Sequence, residues 1–559
     1  MIRKLTLILF LGITVLSGAQ TLPSKAEILA KLQKVNQYYM NANPETNAVS
    51  SGAANWLEGS YFNGHMALFN LHPTPENLSY SLQWAKNNTW SIGNRPHEAD
   101  NQCVGQVYMD LYYSYGSKDD YMLSKVGNSV SNLVNRAAID EWDWIDALYM
   151  AMPVLTRYGI LNNDTRYFEK LYAMFNSTKV TQGLYDDSFG LWHRDWKFDP
   201  PYKTSGGKRC YWSRGNGWVF GGLVRTLKYL PKDDSHRQEY IDTFKEMALA
   251  LKGVQRSDGF WNVSLGDPTE YPGPETSGTA FFVYGLAWGI NNGILDKETY
   301  LPIVIKGWNG LTSKALTSNG RIGYVQGVAD EPKDAQPVTV NTSREYGEGN
   351  FLLAGTEVIQ LATGELPLPN TLYVKKVEML DASSLKVEFF EPVEKMSAES
   401  ISNYQLNKNG IVKSSTISVD GMSCVLTLAN IEKGGYGISF SKIKSTSGKT
   451  IAIGSGKYFM VSQDNSLSSN LPFKKQSVFQ VFPNPANHGY VNIKLTSKYR
   501  GQISIQLFDI SGNLLLSKDV ETQNNDLYNK LNLEGVSCGI YYLKIKGDNF
   551  SLNRKLVVY

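Results

Sequence analysis

The segment Glu141-Trp142-Asp143-Trp144-Ile145-Asp146-Ala147-Leu148-Tyr149-Met150 sets two carboxylates three residues apart among aromatic side chains, at the start of an apolar helical run. Asp143 is placed as an N-cap and Asp146 within the first helical turn. There the free backbone N–H groups and the helix dipole lower a carboxyl pKa, which favours a cap and opposes a general acid. Desolvation by Trp142, Trp144 and Tyr149, or a second carboxylate close by, works the other way and lets Asp146 hold a proton near neutral pH for acid–base chemistry. Both readings stay open on these residues alone. Other chemistries have thinner support. The 559 residues include six histidines and four cysteines, with no Ser-His-Asp order, zinc-spaced histidine pair or phosphate loop, so neither a metal nor a cofactor is expected.

The elements that must position these carboxylates read as helices from about residue 20 to 361. Met122, Val126, Val130 and Leu133 share a helical face, as do Ile145, Leu148, Met152 and Leu155, and Ile241, Phe244, Ala248 and Leu251. Trp218 to Leu230 and Phe281 to Ile290 are apolar on more than one side, the pattern of helices sandwiched between neighbours. Phe189-Gly190-Leu191-Trp192, Asp258-Gly259-Phe260-Trp261 and Asn319-Gly320-Arg321-Ile322-Gly323-Tyr324 echo one another at intervals of about 60 to 70 residues. Helical hairpins repeated around an axis produce such an echo, and an irregular bundle is the alternative. Past Leu361 the texture changes to short alternating segments such as Leu385 to Phe389 and Cys424 to Leu428, which read as strands.

Composition narrows the setting. Lys plus Arg (55) nearly balances Asp plus Glu (52) without a long basic run, so nothing points to nucleic acid or an anionic membrane surface. Met1 to Ala19, with Arg3 and Lys4, the apolar run Leu5 to Leu16 and then Ser17-Gly18-Ala19, reads as a secretory signal peptide. Gln20 follows in place of a lipid-accepting cysteine, and no later stretch reaches the roughly 20 apolar residues of a transmembrane helix. Cys103, Cys210, Cys424 and Cys538 form neither a disulfide framework nor a metal cluster. They read as buried thiols, with a Cys103–Cys210 bridge left open.

Trp144-Ile145-Asp146-Ala147-Leu148-Tyr149-Met150-Ala151-Met152-Pro153 resembles the signature of glycoside hydrolase families 88 and 105. Further matches follow at His97 to Gln102, Leu191 to Asp195, Trp212 to Trp218, Glu275 to Ala280 and Tyr346 to Gly355, in the spacing of family 105, the unsaturated rhamnogalacturonyl and glucuronyl hydrolases. The resemblance implies an (α/α)6 toroid over residues 20–365. Its pocket would accept a 4,5-unsaturated uronate at the non-reducing end of lyase-cut oligosaccharides, with Asp146 as general acid and base and Asp100 as a second pocket aspartate whose charge helps raise the pKa of Asp146. Trp212 and Arg214 match residues that stack on the sugar and bind its carboxylate, and Trp144 and Trp218 are placed with them as substrate-binding. Where many rhamnogalacturonyl hydrolases carry histidine this chain has Arg194, expected to read a sulfate or second carboxylate on the neighbouring sugar, while His193 is taken as structural. An ordinary inverting glycosidase or lyase on a similar toroid, and a non-catalytic glycan-binding protein, are the competing readings.

Beyond the toroid, two small all-β sandwich domains are expected. Val387 to Val393, Asn403 to Leu406 and Ser445 to Lys449 resemble bacterial immunoglobulin-like modules, placed at 366–461. A polar linker at 462–475 leads to residues 476–559, where Val481-Phe482-Pro483-Asn484-Pro485-Ala486, Ile503 to Asp509, Gly539 to Leu543 and Lys555 to Tyr559 resemble the C-terminal sorting domain of the type IX secretion system. That resemblance implies type IX machinery as a partner and export to the surface or exterior of a Bacteroidetes-type bacterium.

Overall fold

The computed structural model describes residues 21–44, 55–95, 97–115, 119–198, 203–461 and most of 478–558. The expected signal peptide and linker lie outside the described residues. The chain divides into two compact units, the first running to Asn465 and the second from Ser466.

In the first unit, six helices close a ring: α2 (Trp56–Leu71), α5 (Gly105–Ser114), α7 (Ala147–Asn162), α9 (Ser213–Leu227), α11 (Thr276–Asn291) and α13 (Glu345–Leu361), each packed on the next and α13 back on α2. Outside them lie α1 (Lys25–Ala42), α3 (Pro75–Asn87), α6 (Tyr121–Asn135), α8 (Arg166–Asn176), α10 (Arg237–Gly253) and α12 (Lys297–Gly310), with the short α4 (Ala99–Gln102) against α7. The two layers differ as their sequences require. Every residue of α9 is buried, and so is all of α11 up to Ile290, whereas α6, α8 and α10 bury one stripe. Capping fixes several starts: Ser24 and Glu27 form a capping box on α1, and Asn55, Thr74 and Asp296 accept first-turn N–H groups of α2, α3 and α12.

The echoed motifs turn out to be one repeated joint. Gly190, Gly259 and Gly320 all have positive φ (68°, 92° and 99°). A Cβ on each would lie within 3 Å of a carbonyl oxygen in an outer helix: Glu246 of α10, Lys306 of α12 and Lys34 of α1. Each glycine turn thus seats on the backbone of an outer helix, and the residue two places on, Trp192, Trp261 or Ile322, is fully buried.

A seven-stranded sandwich completes this unit. β1 (Tyr185–Asp186) and β2 (Leu191–Trp192) are a small hairpin of the toroid. One sheet of the sandwich runs β3 (Val374–Met379), β4 (Ser384–Phe389), β7 (Ser423–Ala429), β6 (Ile411–Ile417), and the other β5 (Tyr404–Leu406), β8 (Gly434–Phe440), β9 (Lys457–Val461), with Val387, Leu426, Ile438 and Phe459 in the core between them. The sandwich is joined firmly to the toroid. Tyr373 and Phe390 belong to the toroid's own core, Tyr113 and Tyr458 pair at 4.9 Å, and Lys408 Nζ donates to Leu161 O at 2.9 Å. The thiols are free, with Cys103, Cys210 and Cys424 buried and Cys538 exposed, so the Cys103–Cys210 bridge is not formed and Cys538 departs from the buried reading.

The second unit packs the sheet β10 (Val478–Phe482), β11 (Tyr490–Thr496), β14 (Asp526–Asn532) with the sheet of β12 (Gly501–Phe508), β13 (Leu514–Thr522), β15 (Gly539–Gly547) and β16 (Phe550–Val558) around Ile493, Ile505, Leu543 and Leu556.

Candidate active site

The N-terminal ends of the inner helices converge on one mouth of the ring. Asp146 immediately precedes α7, Trp212 precedes α9, Glu275 precedes α11, and Tyr346 lies in the first turn of α13. The capping reading of Asp146 does not hold: its side chain accepts no first-turn N–H, and Asp143 is exposed outside the helix. The cause is a distant strand-like contact. Trp144 bridges Asp195, and Ile145 N donates to Arg194 O at 2.9 Å, which turns the Asp146 carboxylate away from its own helix. Its Oδ1 is buried without a hydrogen-bond partner. Gly215 makes room for it, since a Cβ there would stand 3.4 Å from Asp146 Oδ1 and 3.0 Å from Ile145 Cδ1.

The electrostatics oppose one another across this carboxylate. Burial raises the Asp146 pKa most, Arg194 and Arg214 pull it down, and Asp195 and Asp330 push it up. Asp100, carried by α4 against α7, is pushed up to about 7, first by burial and then by the charge of Asp146. The like-charge effect expected on Asp146 from Asp100 is therefore expressed on Asp100. Together the pair holds a proton into the neutral range.

Two arginines tie a loop over the mouth. Arg214 donates from Nη1 to Gly327 O at 2.5 Å and from Nη2 to Ala329 O at 3.2 Å. Arg194 pairs with Asp195 and, at 3.0 Å, with the exposed Asp330 of the same loop. Trp212 is buried, its Nε1 donates to Gln326 Oε1 at 2.5 Å, and the Arg214 guanidinium lies 4.4 Å from its ring centroid. The face expected to stack on a sugar is already covered. Trp218 is fully buried among Trp56, Tyr149, Phe281 and Tyr346. Trp144 is partly exposed. His193 is buried, stacked on Tyr211 at 5.0 Å and 4.0 Å from Asp186, in keeping with a structural role.

The sequence reading left out Asp195, Gln326, Asp330 and Tyr346 as site residues. Asp195 and Tyr346 lay inside motifs already singled out. Gln326 and Asp330 sit in a loop with no periodicity or motif to mark them.

Comparison with known proteins then identifies the catalytic unit: residues 31–362 match the model of Glycosyl Hydrolase Family 88. The chain belongs to that family. This family 88 hydrolase is 32% identical over 360 residues to an unsaturated 3S-rhamnoglycuronyl hydrolase of Formosa agariphila, covering 60% of this chain and 91% of that protein. It is 33% identical over 339 residues to a protein of the same name from an Alteromonas species, covering 56% and 80%. Among solved structures, a family 88 glycosyl hydrolase from Bacteroides vulgatus superposes with a TM-score of 0.56 at 35% identity, covering 60% of this chain and 99% of that one. A structure named as a polysaccharide lyase gives 0.56 at 36%, covering 60% and 98%. A possible family 105 member from Salmonella enterica shares the toroidal fold at 18% identity, with a TM-score of 0.52 over 64% of this chain and all of that one. Residues 480–559 match the secretion system C-terminal sorting domain. Among the described residues, no helix of the family 88 hydrolase is long and apolar enough to cross a membrane.

Proposed function

We propose that this hydrolase removes a 4,5-unsaturated uronic acid from the non-reducing end of lyase-generated oligosaccharides, with Asp146 as general acid and base. The observation that carries the reading is the state of Asp146: a carboxylate whose Oδ1 is buried and unpartnered, raised by burial, beside an Asp100 held near pKa 7. Burial that raises Asp146, with Asp100 raised to about 7 beside it, supports an acid role for the pair. Asp146 protonates C4 of the C4=C5 enol ether, and water relieved of its proton by the same carboxylate adds at C5. The resulting hemiketal opens by breaking the bond from C5 to the ring oxygen, which leaves a ketone at C5 and a hemiacetal at C1, and collapse of that hemiacetal releases the remaining sugar with the hydroxyl through which it was linked. One carboxylate serves both steps, so the separation rule for paired carboxylates of ordinary glycosidases does not apply.

Arg194 sits close enough to Asp146 and Asp100 to lower both. That supports a contact with the carboxylate of the uronate itself, exchanged for Asp330, in preference to a group on the next sugar. Arg214, spent on two backbone carbonyls, contributes charge and fixes the loop. The aglycone is assigned to sulfated rhamnose, a reading supported by the two relatives named as 3S-rhamnoglycuronyl hydrolases. The sorting domain supports export through the type IX machinery to the cell surface or beyond.

The test is to incubate the purified chain with lyase products of a sulfated rhamnose-containing glycan and to follow the ultraviolet absorbance of the alkene. Loss of absorbance with release of a shortened sugar is expected. A rise in absorbance on intact polysaccharide would instead make the chain a lyase.

A further inference from the structure

The inner helices bring their N-terminal ends to the catalytic mouth and their C-terminal ends to a second cavity of about 640 Å³, which the reaction does not use. Its walls are the last turns of α2, α5, α7, α9 and α13, closed over by β3 and β9 of the sandwich. Along α9, Arg225 stands eleven residues beyond Arg214, roughly 16 Å at the α-helical rise. The rings of Tyr149, Trp218 and Phe281 fill the barrel in between.

The charge on these walls is lopsided. Arg157 pairs with Asp110 at 2.8 Å and Lys228 with Glu357 at 2.6 Å. Arg225, Lys25, Lys375 and Lys457 line the same space with no carboxylate at ion-pair distance among the described residues. Convergent helix C-termini, with their negative partial charge, favour cations in the last turns. They do not account for lysines contributed by the sandwich, nor for a guanidinium taken so far out of water. Arg225 is only 7% exposed and donates to neutral acceptors, Gln106 Oε1 and Asn63 Oδ1, the latter at 3.1 Å. The Asp110 carboxylate, already paired with Arg157, favours the Arg225 cation from beyond ion-pair distance; a guanidinium taken so far out of water is otherwise unfavourable unless an anion completes the site. Enclosure pushes Lys457 down to about 8 with no counterion to restore it. The remaining wall is aromatic and apolar, with Tyr113, Tyr229, Tyr458 and Phe390, and the Tyr113 hydroxyl has no hydrogen-bond partner among the described residues. The volume is that of an organic ligand, far more than a bare oxyanion needs. Cations set among ring faces suit a charged saccharide.

We propose that this cavity binds an oligosaccharide bearing sulfate or carboxylate groups, with Arg225 on the toroid and Lys457 and Lys375 on the sandwich holding the oxyanion. The site is independent of the reaction assigned to the other mouth. It is tested by isothermal titration of the full chain with a saturated, sulfated uronate tetrasaccharide and, separately, with sodium sulfate. Binding of the tetrasaccharide is expected, weakened at least tenfold by Arg225→Met and by the double variant Lys457→Met/Lys375→Met. The double variant lies on sandwich strands and keeps the test valid where Arg225→Met fails to fold. It should leave kcat and KM for alkene hydrolysis unchanged. Equal tetrasaccharide affinity in the parent and the double variant, or no binding to the parent, would overturn the proposal. So would saturation by sodium sulfate with no response to the tetrasaccharide, which would make the cavity a site for a small inorganic ion.

Discussion

Arg194→Met tests the electrostatic account of the active site most directly. The Arg194 guanidinium is the largest influence holding the Asp146 pKa down and also lowers that of Asp100. Its removal leaves Asp195 and Asp330, both of which push the other way, without their shared cation. By Coulomb's law a unit charge removed from about 6 Å, at an effective dielectric of about 20, is worth about 3 kcal/mol or about two pKa units. Water at the open mouth screens part of this, leaving an expected shift of about 1 to 2 units. The sign is fixed: without the cation the carboxylate anion is less stable, so the proton is held to higher pH. The alkaline limb of kcat/KM for alkene loss, measured from about pH 5 to about pH 9, should therefore move up. The rate falls as well, because a substrate contact is lost, but a merely structural role would not displace the limb. A limb that stays in place or moves down would mean that Arg194 does not set the Asp146 charge.

Asp146→Asn should lower kcat on the order of 10²- to 10⁴-fold while the circular dichroism spectrum stays that of the parent; retained activity would remove Asp146 from its role. Gly215→Ala, whose new methyl would press on Ile145 Cδ1 next to Asp146, should cost about 10-fold or more in kcat, read by the same alkene assay with thermal stability as the control. His65 is fully buried between Asn36 Oδ1 and Asn77 O, and burial lowers its pKa to about 4. The unfolded chain takes up that proton at about 6.5 and the folded chain does not, so roughly 3 kcal/mol of stability should be lost as pH falls from about 6.5 to about 4; His65→Gln should flatten that dependence in urea titrations. Phe390→Ala, in the joint between sandwich and toroid, should destabilise by about 3 to 5 kcal/mol. All twelve tryptophans lie between Trp56 and Trp308, so their fluorescence reports the toroid alone, and a shifted midpoint in that signal would show the joint transmitting the damage.

Much of the fold could be read from local pattern because its causes are local. The two helices apolar on more than one side, α9 and α11, lie in the inner ring; of the three read from a single stripe, α6 and α10 lie in the outer layer and α7 in the ring. The recurring glycine motif marked a joint that the architecture uses three times. The site was less legible, because its geometry is made by contacts between segments far apart in the chain. Asp146 looks like a cap until the backbone of Arg194, about fifty residues on, turns it into the pocket. Trp212 looks like a sugar platform until Arg214 and Gln326 occupy it. Asp330 carries no signal, since an acidic residue in an irregular loop gains meaning only from the arginine it meets.

The shared core of toroid and sandwich bears on how such chains are assembled and recombined. A module on a flexible tether can be exchanged without consequence for the enzyme it follows. This one contributes Tyr373 and Phe390 to the hydrophobic interior of its neighbour and offers Gly435, where an added Cβ would stand 2.7 Å from Ile160 Cγ2 of α7. Any replacement would have to reproduce that fit. The natural point for grafting a different cargo onto the sorting domain then lies after Val461, not at the end of the last helix.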